Sequence, residues 1–155
     1  MTKSISAIAL IVVLCGAPAR AADSLASLSY LVGTWSCTYN AAGRHIAYTA
    51  TYDYVAGNNW LRERNASSAG FSDVGLTTYE PKSNAWTEIV AGSDRSTTLF
   101  RAKGSDSAHR LYRSILPNAL MMLRFDRVSN SKYTLHFSGT YAGKRMTSYD
   151  VCTKR

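Results

Sequence analysis

The sequence predicts an all-β fold: a closed antiparallel up-and-down meander barrel of about ten strands behind a short N-terminal helix. Three observations carry this. From Gly33 onward no window of helical length keeps a 3.6-residue period, and short runs rich in Thr, Tyr, Val and Phe recur instead. The breaks between runs are short and hold Gly, Asn, Ser or Pro, so successive strands are antiparallel neighbours, since a parallel crossover needs a dozen residues or more. Cys37 and Cys152 lie in the first and last runs, and a bond between them would make the two ends of the meander neighbours.

Along the chain, Lys3 in a short polar start, the apolar run 5–15 and Ala19-Arg20-Ala21 ahead of Ala22 form the three parts of a secretory signal peptide. The run is shorter than the ~20 residues of a spanning helix, and Leu14 stands where lipid attachment at Cys15 wants a small residue. The expected organisation is a signal peptide over 1–21 and one barrel domain over 22–155. Removing 21 of 155 residues leaves 134, enough for a single core. The expected localisation is periplasmic or secreted, with no transmembrane segment after cleavage. Cys15 leaves with the signal, and Cys37 and Cys152 then read as one disulfide of an exported chain, two free buried thiols being the competing reading. Neither cysteine belongs to a C-x-x-C pair, so thioredoxin-like chemistry and zinc ribbons lack support.

The helix is expected to open at Asp23 or Ser24 as N-cap and to carry Leu25, Leu28 and Leu31 on one face. Turn signals then divide the chain into strands over 34–39, 45–55, 60–65, 74–80, 85–91, 97–103, 109–115, 120–128, 132–140 and 144–153. Closing the first strand on the last hides the sheet edges, with an open sandwich as the alternative. Pairing Cys37 with Cys152 sets Tyr39 opposite Asp150 and Trp35 opposite Lys154. The polar stretch 65–73 reads as a loop able to act as a lid.

The segment Leu31-Val32-Gly33-Thr34-Trp35 resembles the Gly-x-Trp opening of lipocalin-like, or calycin-like, β-barrels. The resemblance implies that Trp35 plugs one barrel end and that a basic residue of the last strand, here Lys154, packs across it. Tyr52-Asp53-Tyr54-Val55-Ala56-Gly57 with Trp60-Leu61, and Gly75-Leu76-Thr77-Thr78-Tyr79-Glu80-Pro81 with Trp86, resemble a bacterial branch of exported lipocalin-like proteins. The related nitrobindin-like barrels hold haem iron on a histidine of the last strand. The segment 144–155 has none, so no haem or other cofactor is expected.

Tyr48, Tyr52 and Tyr54 share a face of the second strand with Ile46 and Ala50. This face reads as inward, toward a ligand or as a packed aromatic core. Arg62 and Arg64 share a face with Trp60, opposite Leu61 and Glu63. If that face is inward, two guanidiniums enter the cavity and call for an acidic ligand group; outward arginines with apolar stems on the barrel are the competing reading. The candidate ligand-binding residues are therefore Tyr48, Tyr52, Tyr54, Trp60, Arg62 and Arg64, and the structural ones Trp35, Lys154, Cys37 and Cys152. Met121, Leu123 and Phe125 read as inward, with Arg124 toward solvent. His45, His109 and His136 occur singly, so no metal site is expected. Gly70-Phe71-Ser72-Asp73-Val74 lacks the second glycine of a nucleophile elbow, no phosphate loop appears, and no catalytic residue is assigned.

Net charge is +8, and +6 once Lys3 and Arg20 leave. The arginines are scattered as singles, and export makes nucleic acid an unexpected partner. A basic surface would be drawn to anionic envelope lipids or polymers, or would favour an anionic ligand. The expected function is a secreted or periplasmic barrel binding a small, partly apolar molecule with an anionic end. The alternatives are an isomerase or hydrolase using the same cavity, which a buried acid beside a tyrosine or histidine would favour, and a structural or partner-binding envelope protein with a filled barrel.

Overall fold

Ten strands follow one 3-10 helix, Ala26–Leu31. The computed structural model describes residues 25–116, 121–141 and 143–155. The expected signal peptide over 1–21, the candidate caps Asp23 and Ser24, and Leu120 lie outside these described residues. The strands are β1 (Gly33–Ala41), β2 (Arg44–Val55), β3 (Trp60–Ser67), β4 (Ser72–Glu80), β5 (Ala85–Gly92), β6 (Thr97–Lys103), β7 (His109–Leu116), β8 (Met122–Ser129), β9 (Lys132–Tyr141) and β10 (Lys144–Lys154). Each pairs antiparallel with its sequence neighbours and β1 pairs with β10, so the meander closes into a barrel without free edges.

Closure has the register read from the cysteines. Cys37 and Cys152 are directly opposed and bonded, with Tyr39 across from Asp150 and Trp35 across from Lys154. Two strands are joined by Ala42 and Gly43, both at positive φ, as a two-residue hairpin matching the right-handed twist requires. The stretch 65–73 is not one long loop: β3 runs on to Ser67, β4 starts at Ser72, and Ser67 N–H donates to the Phe71 carbonyl at 3.1 Å. Its small polar residues continue the two strands as a twisted hairpin, and only four residues form the turn.

The helix is of the 3-10 type rather than α, and its N-cap position is Leu25, without a side-chain cap. Leucines at a strict spacing of three fall on one line of a three-residue-per-turn helix, whereas in an α-helix they would drift around the axis. Leu28 and Leu31 are thereby fully buried over the barrel end. Beneath them Trp35 is inaccessible to solvent, donates from Nε1 to the Leu31 carbonyl at 2.6 Å, and meets the Tyr133 ring edge-on at 4.8 Å. Lys154 Nζ lies 5.6 Å from the Trp35 ring centre and donates to the Tyr30 carbonyl at 2.8 Å. Gly33 has φ of +121°, and a Cβ there would meet Lys154 Cε at 3.4 Å, so the glycine of the Gly-x-Trp segment supplies both the backbone conformation and room for the lysine.

The two halves of the barrel differ. At the helix end Trp35, Trp86, Tyr112 and Tyr133 are fully buried and fill the interior with aromatic rings. The opposite half, toward the β1–β2, β3–β4 and β5–β6 hairpins, has smaller and partly exposed inward side chains and stays hollow.

Candidate functional site

The hollow half encloses a cavity of about 430 Å³. Strand alternation selects its lining: Tyr39 from β1, Ile46 and Tyr48 from β2, Glu63 and Asn65 from β3, Asp73 from β4, Glu88 and Val90 from β5, Leu135 from β9 and Asp150 from β10. Phe71, at the end of the β3–β4 turn, reaches in at the mouth and packs its ring 5.6 Å from that of Tyr48. An adjoining hollow of about 390 Å³ shares Phe71, Asp73, Val90 and Leu123 and borders the β5–β6 turn.

Of the tyrosines picked out in the sequence, Tyr48 lines the cavity and its hydroxyl donates to Asp150 Oδ2 at 2.7 Å. Tyr52 lies deeper, in the packed half, its hydroxyl 2.8 Å from that of Tyr133. Tyr54 sits at the closed end and donates to the Leu25 carbonyl at 3.0 Å, away from the cavity. Trp60, Arg62 and Arg64 are on the outer wall. Across the β2–β3 ladder Tyr54 opposes Leu61, Tyr52 opposes Glu63, and Asp53 opposes Arg62. With the tyrosines inside, the face that turns inward on β3 is therefore that of Leu61, Glu63 and Asn65. Arg62 is paired outside with Asp53, donating from Nε at 3.1 Å and from Nη2 at 2.5 Å, and Arg64 lies 3.3 Å from the same carboxylate. The expectation of inward guanidiniums is thus corrected: they have a carboxylate partner in solvent and none of the desolvation that the interior would impose. Met121 and Phe125 are buried and Arg124 is exposed, as expected.

The interior carries acids in place of arginines. Glu63, Asp73, Glu88 and Asp150 all face the cavity, and its lining contains no Lys or Arg. Burial pushes the Glu63 carboxyl up to about 8, and the nearby Glu88 and Asp73 charges add to the rise against the Tyr52 and Asn65 side chains, which oppose it. Burial raises Asp150 to about 6, with the Tyr48 hydroxyl opposing. Asp73 and Glu88 are raised by burial as well, Asp73 against Asn65 and Glu88 chiefly against Arg110. Asn65 links two of the acids, donating to Glu63 Oε1 at 2.9 Å and Asp73 Oδ1 at 2.8 Å, which leaves its own Oδ1 buried and without a hydrogen-bond partner.

Arg110, to which the sequence reading assigns no face, is buried at 5 % exposure. Its guanidinium lies 4.1 Å from the Phe125 ring centre, 5.3 Å from Trp86 and 5.7 Å from Tyr112, while Nε and Nη1 make no hydrogen bond. Ring faces and the Glu88 charge hold this cation in the packed layer. No group of three or more His, Cys, Asp or Glu side chains converges as metal ligands would, among the described residues. His109 and His136 are outside, the first beside Asp126 and the second against Tyr149. A larger hollow of about 610 Å³ lies on the outer wall, among Arg44, His45, Leu111, Met122, Arg124 and His136. It is a shallow groove built from outward positions, apart from the buried acids.

No known protein-family model matches the chain, and no curated protein matches it in sequence. Among solved structures it is similar to an S-type phycobiliprotein lyase, CPES, from Guillardia theta, with a TM-score of 0.53 and 11 % identity over 83 % of this chain and 89 % of that one. At that identity the likeness is one of fold: this chain is a closed ten-stranded antiparallel meander barrel, similar in architecture to that lyase.

Proposed function

We propose that this protein is an exported barrel that binds a small, partly apolar molecule in its hollow half. The observation that carries the reading is the division of the interior: one half is filled by aromatic rings, and the other encloses about 430 Å³ bounded by Tyr39, Ile46, Phe71, Leu123 and Leu135 and by buried polar groups. A barrel meant only as scaffold would gain stability by filling that space. The phycobiliprotein lyase of similar fold supports the reading at the level of architecture. The disulfide fits an oxidising compartment, in line with the signal peptide and a periplasmic or secreted location. No helix among the described residues is long and apolar enough to cross a membrane. Exposed Arg44, Arg113, Arg124 and Arg145 on the outer wall would suit an anionic envelope surface.

Native mass spectrometry of the protein purified from its own source tests this, together with the cavity-filling variant Val90→Trp. The expected result is a copurifying small molecule that Val90→Trp loses while keeping a cooperative melting transition. Retention of that molecule by the variant would contradict the assignment of the site.

One observation favours a second reading. Tyr48 and Asp150 form the buried acid–tyrosine pair that would favour an enzyme, and the carboxyls at about 6 and about 8 can hold or release a proton near neutral pH. The cavity would then carry out proton transfer on the molecule it holds, with Asp150 as base. Incorporation of deuterium from D₂O into the copurified molecule, lost in Asp150→Asn, would establish this reading; no incorporation would remove it.

A further inference from the structure

Besides the Tyr39 hydroxyl, the polar side-chain atoms that the cavity offers a ligand belong to its carboxyls and to Asn65 Oδ1, which are acceptors once the carboxyls ionise. The Tyr48 hydroxyl is committed to Asp150 and both donor contacts of Asn65 go to Glu63 and Asp73, while Asn65 Oδ1 is buried without a partner. Glu88, only 8 % exposed, turns toward the cavity, with the Tyr112 hydroxyl and the Arg110 charge on its inner side. The cationic Arg110 lies behind it, in the aromatic layer and outside the lining. Four carboxyls therefore surround a space whose remaining wall is apolar, and they are spread around it rather than gathered as metal ligands.

We propose that the molecule bound in this cavity is an organic cation, an ammonium or guanidinium group on a partly apolar body. The inference rests on the binding-barrel reading and reverses the anionic ligand that the arginines suggested. An ammonium offers only donors and carries the charge that the wall lacks, so it completes the unfilled acceptors and lets buried carboxyls ionise. An anion would bring a further negative charge into a lining without a cation, and a neutral amphiphile would leave the acids as they are. The apolar body packs against Phe71, Leu123 and Leu135.

Ionisation couples binding to pH. Glu63 is faced by Tyr48 and Tyr52 from β2, Asp73 from β4, Glu88 from β5 and Tyr133 from β9. Asp150 is faced by Tyr48, Asp73 and Tyr133, and Glu88 by Asp73, Arg110 and Tyr112. Tyrosines stay protonated near neutrality, so the charge on the wall changes through the carboxyls. As these lose protons between pH 5 and pH 8, affinity for a cation rises, and cation binding at pH 7 releases protons.

The test is calorimetric titration of the whole protein with octylammonium, octanol and octanoate at monomeric concentrations. They share one chain and differ in the charge of the head group. At pH 8 octylammonium is expected to bind about ten- to a hundredfold more tightly than octanol, with octanoate weakest. The preference shrinks toward pH 5. Titrations at pH 7 in buffers of different ionisation enthalpy report proton release. Glu88→Gln with Asp150→Asn is expected to reduce the preference for octylammonium over octanol. Octanol or octanoate binding as tightly as octylammonium overturns the cation proposal and leaves the binding barrel standing, as does a cation preference equal at pH 5 and pH 8. Failure of all three probes to bind overturns both.

Discussion

Glu63 is a carboxyl kept neutral by its surroundings. Its ordinary value of 4.5 rises to about 8 in the fold, chiefly through burial. Between those values the folded state holds a proton that the unfolded chain releases, so stability is present below about pH 4.5 and falls as pH rises toward 8. Asp150, raised from 3.8 to about 6, acts with the same sign over its own lower window. Asp53, held low chiefly by its Arg62 hydrogen bonds, and Asp126, held low by His109 and Arg124 against burial, act with the opposite sign only at more acidic pH. Thermal melts are therefore expected to show a lower Tm at pH 8 than at pH 5. Glu63→Gln should flatten that dependence and raise Tm at pH 8 by about 3 °C or more; a variant less stable than the parent at pH 8 would contradict the burial of this acid. Trp35 makes a different contribution, through volume and its bond to the Leu31 carbonyl. Trp35→Ala should cost about 3 to 5 kcal/mol in denaturant unfolding, and an unchanged midpoint would remove it from the core.

At the scale of elements, the orientation of β3 decides the chemistry of the site. The turn 56–59 sets Val55 opposite Trp60, and every later pair follows from it. Asp53 thus stands beside Arg62 on the outer wall while Glu63 comes in beside Tyr52. This was legible in the sequence once the tyrosine face was taken as inward, because a ladder of known register gives its second strand no choice of face. Trp60, the largest apolar residue of the strand, is a misleading guide: its position next to the turn lets it lie outside, whereas Leu61 supplies the buried contact. Arg62→Ala should accordingly leave octylammonium affinity unchanged in the same titration, and a loss of binding would return the arginines to the site. The tyrosines of β2 show the other gap between pattern and place. Their shared face was readable, but Tyr48, Tyr52 and Tyr54 lie at three depths, and strand alternation carries no information about depth. Asp150 could be placed from Cys152, two residues on and on the same face. Asp73 and Glu88 could not, since their approach to Glu63 depends on the stagger of strands around a closed barrel.

On the scale of the whole molecule, ten short-looped strands and two cysteines were enough to read the barrel, because closure, register and disulfide are one constraint seen three ways. The bond joins β1 to β10 where the ladder would otherwise have two free edges, across a sequence separation of 115. Replacing both cysteines by alanine should lower stability by about 2 to 4 kcal/mol, measured by denaturant unfolding under oxidising conditions. A pair of variants as stable as the parent would mean that strand pairing alone holds the barrel shut. What the sequence left open was whether the barrel is hollow. That depends on how unlike side chains fill two ends of one volume: four large rings close the helix end, while smaller and ionisable groups at the other leave space. A basic exterior around an acidic cavity follows from the same alternation, with Arg62, Arg64 and Arg124 outside and Glu63, Asp73, Glu88 and Asp150 lining the hollow half. Amide chemical-shift mapping by NMR during titration with octylammonium tests this account most directly. The account predicts shifts gathered on the inward positions around Tyr48, Glu63, Glu88 and Asp150. Shifts gathered on the outer groove around Leu111, Met122 and His136, or none at saturating probe, would contradict it.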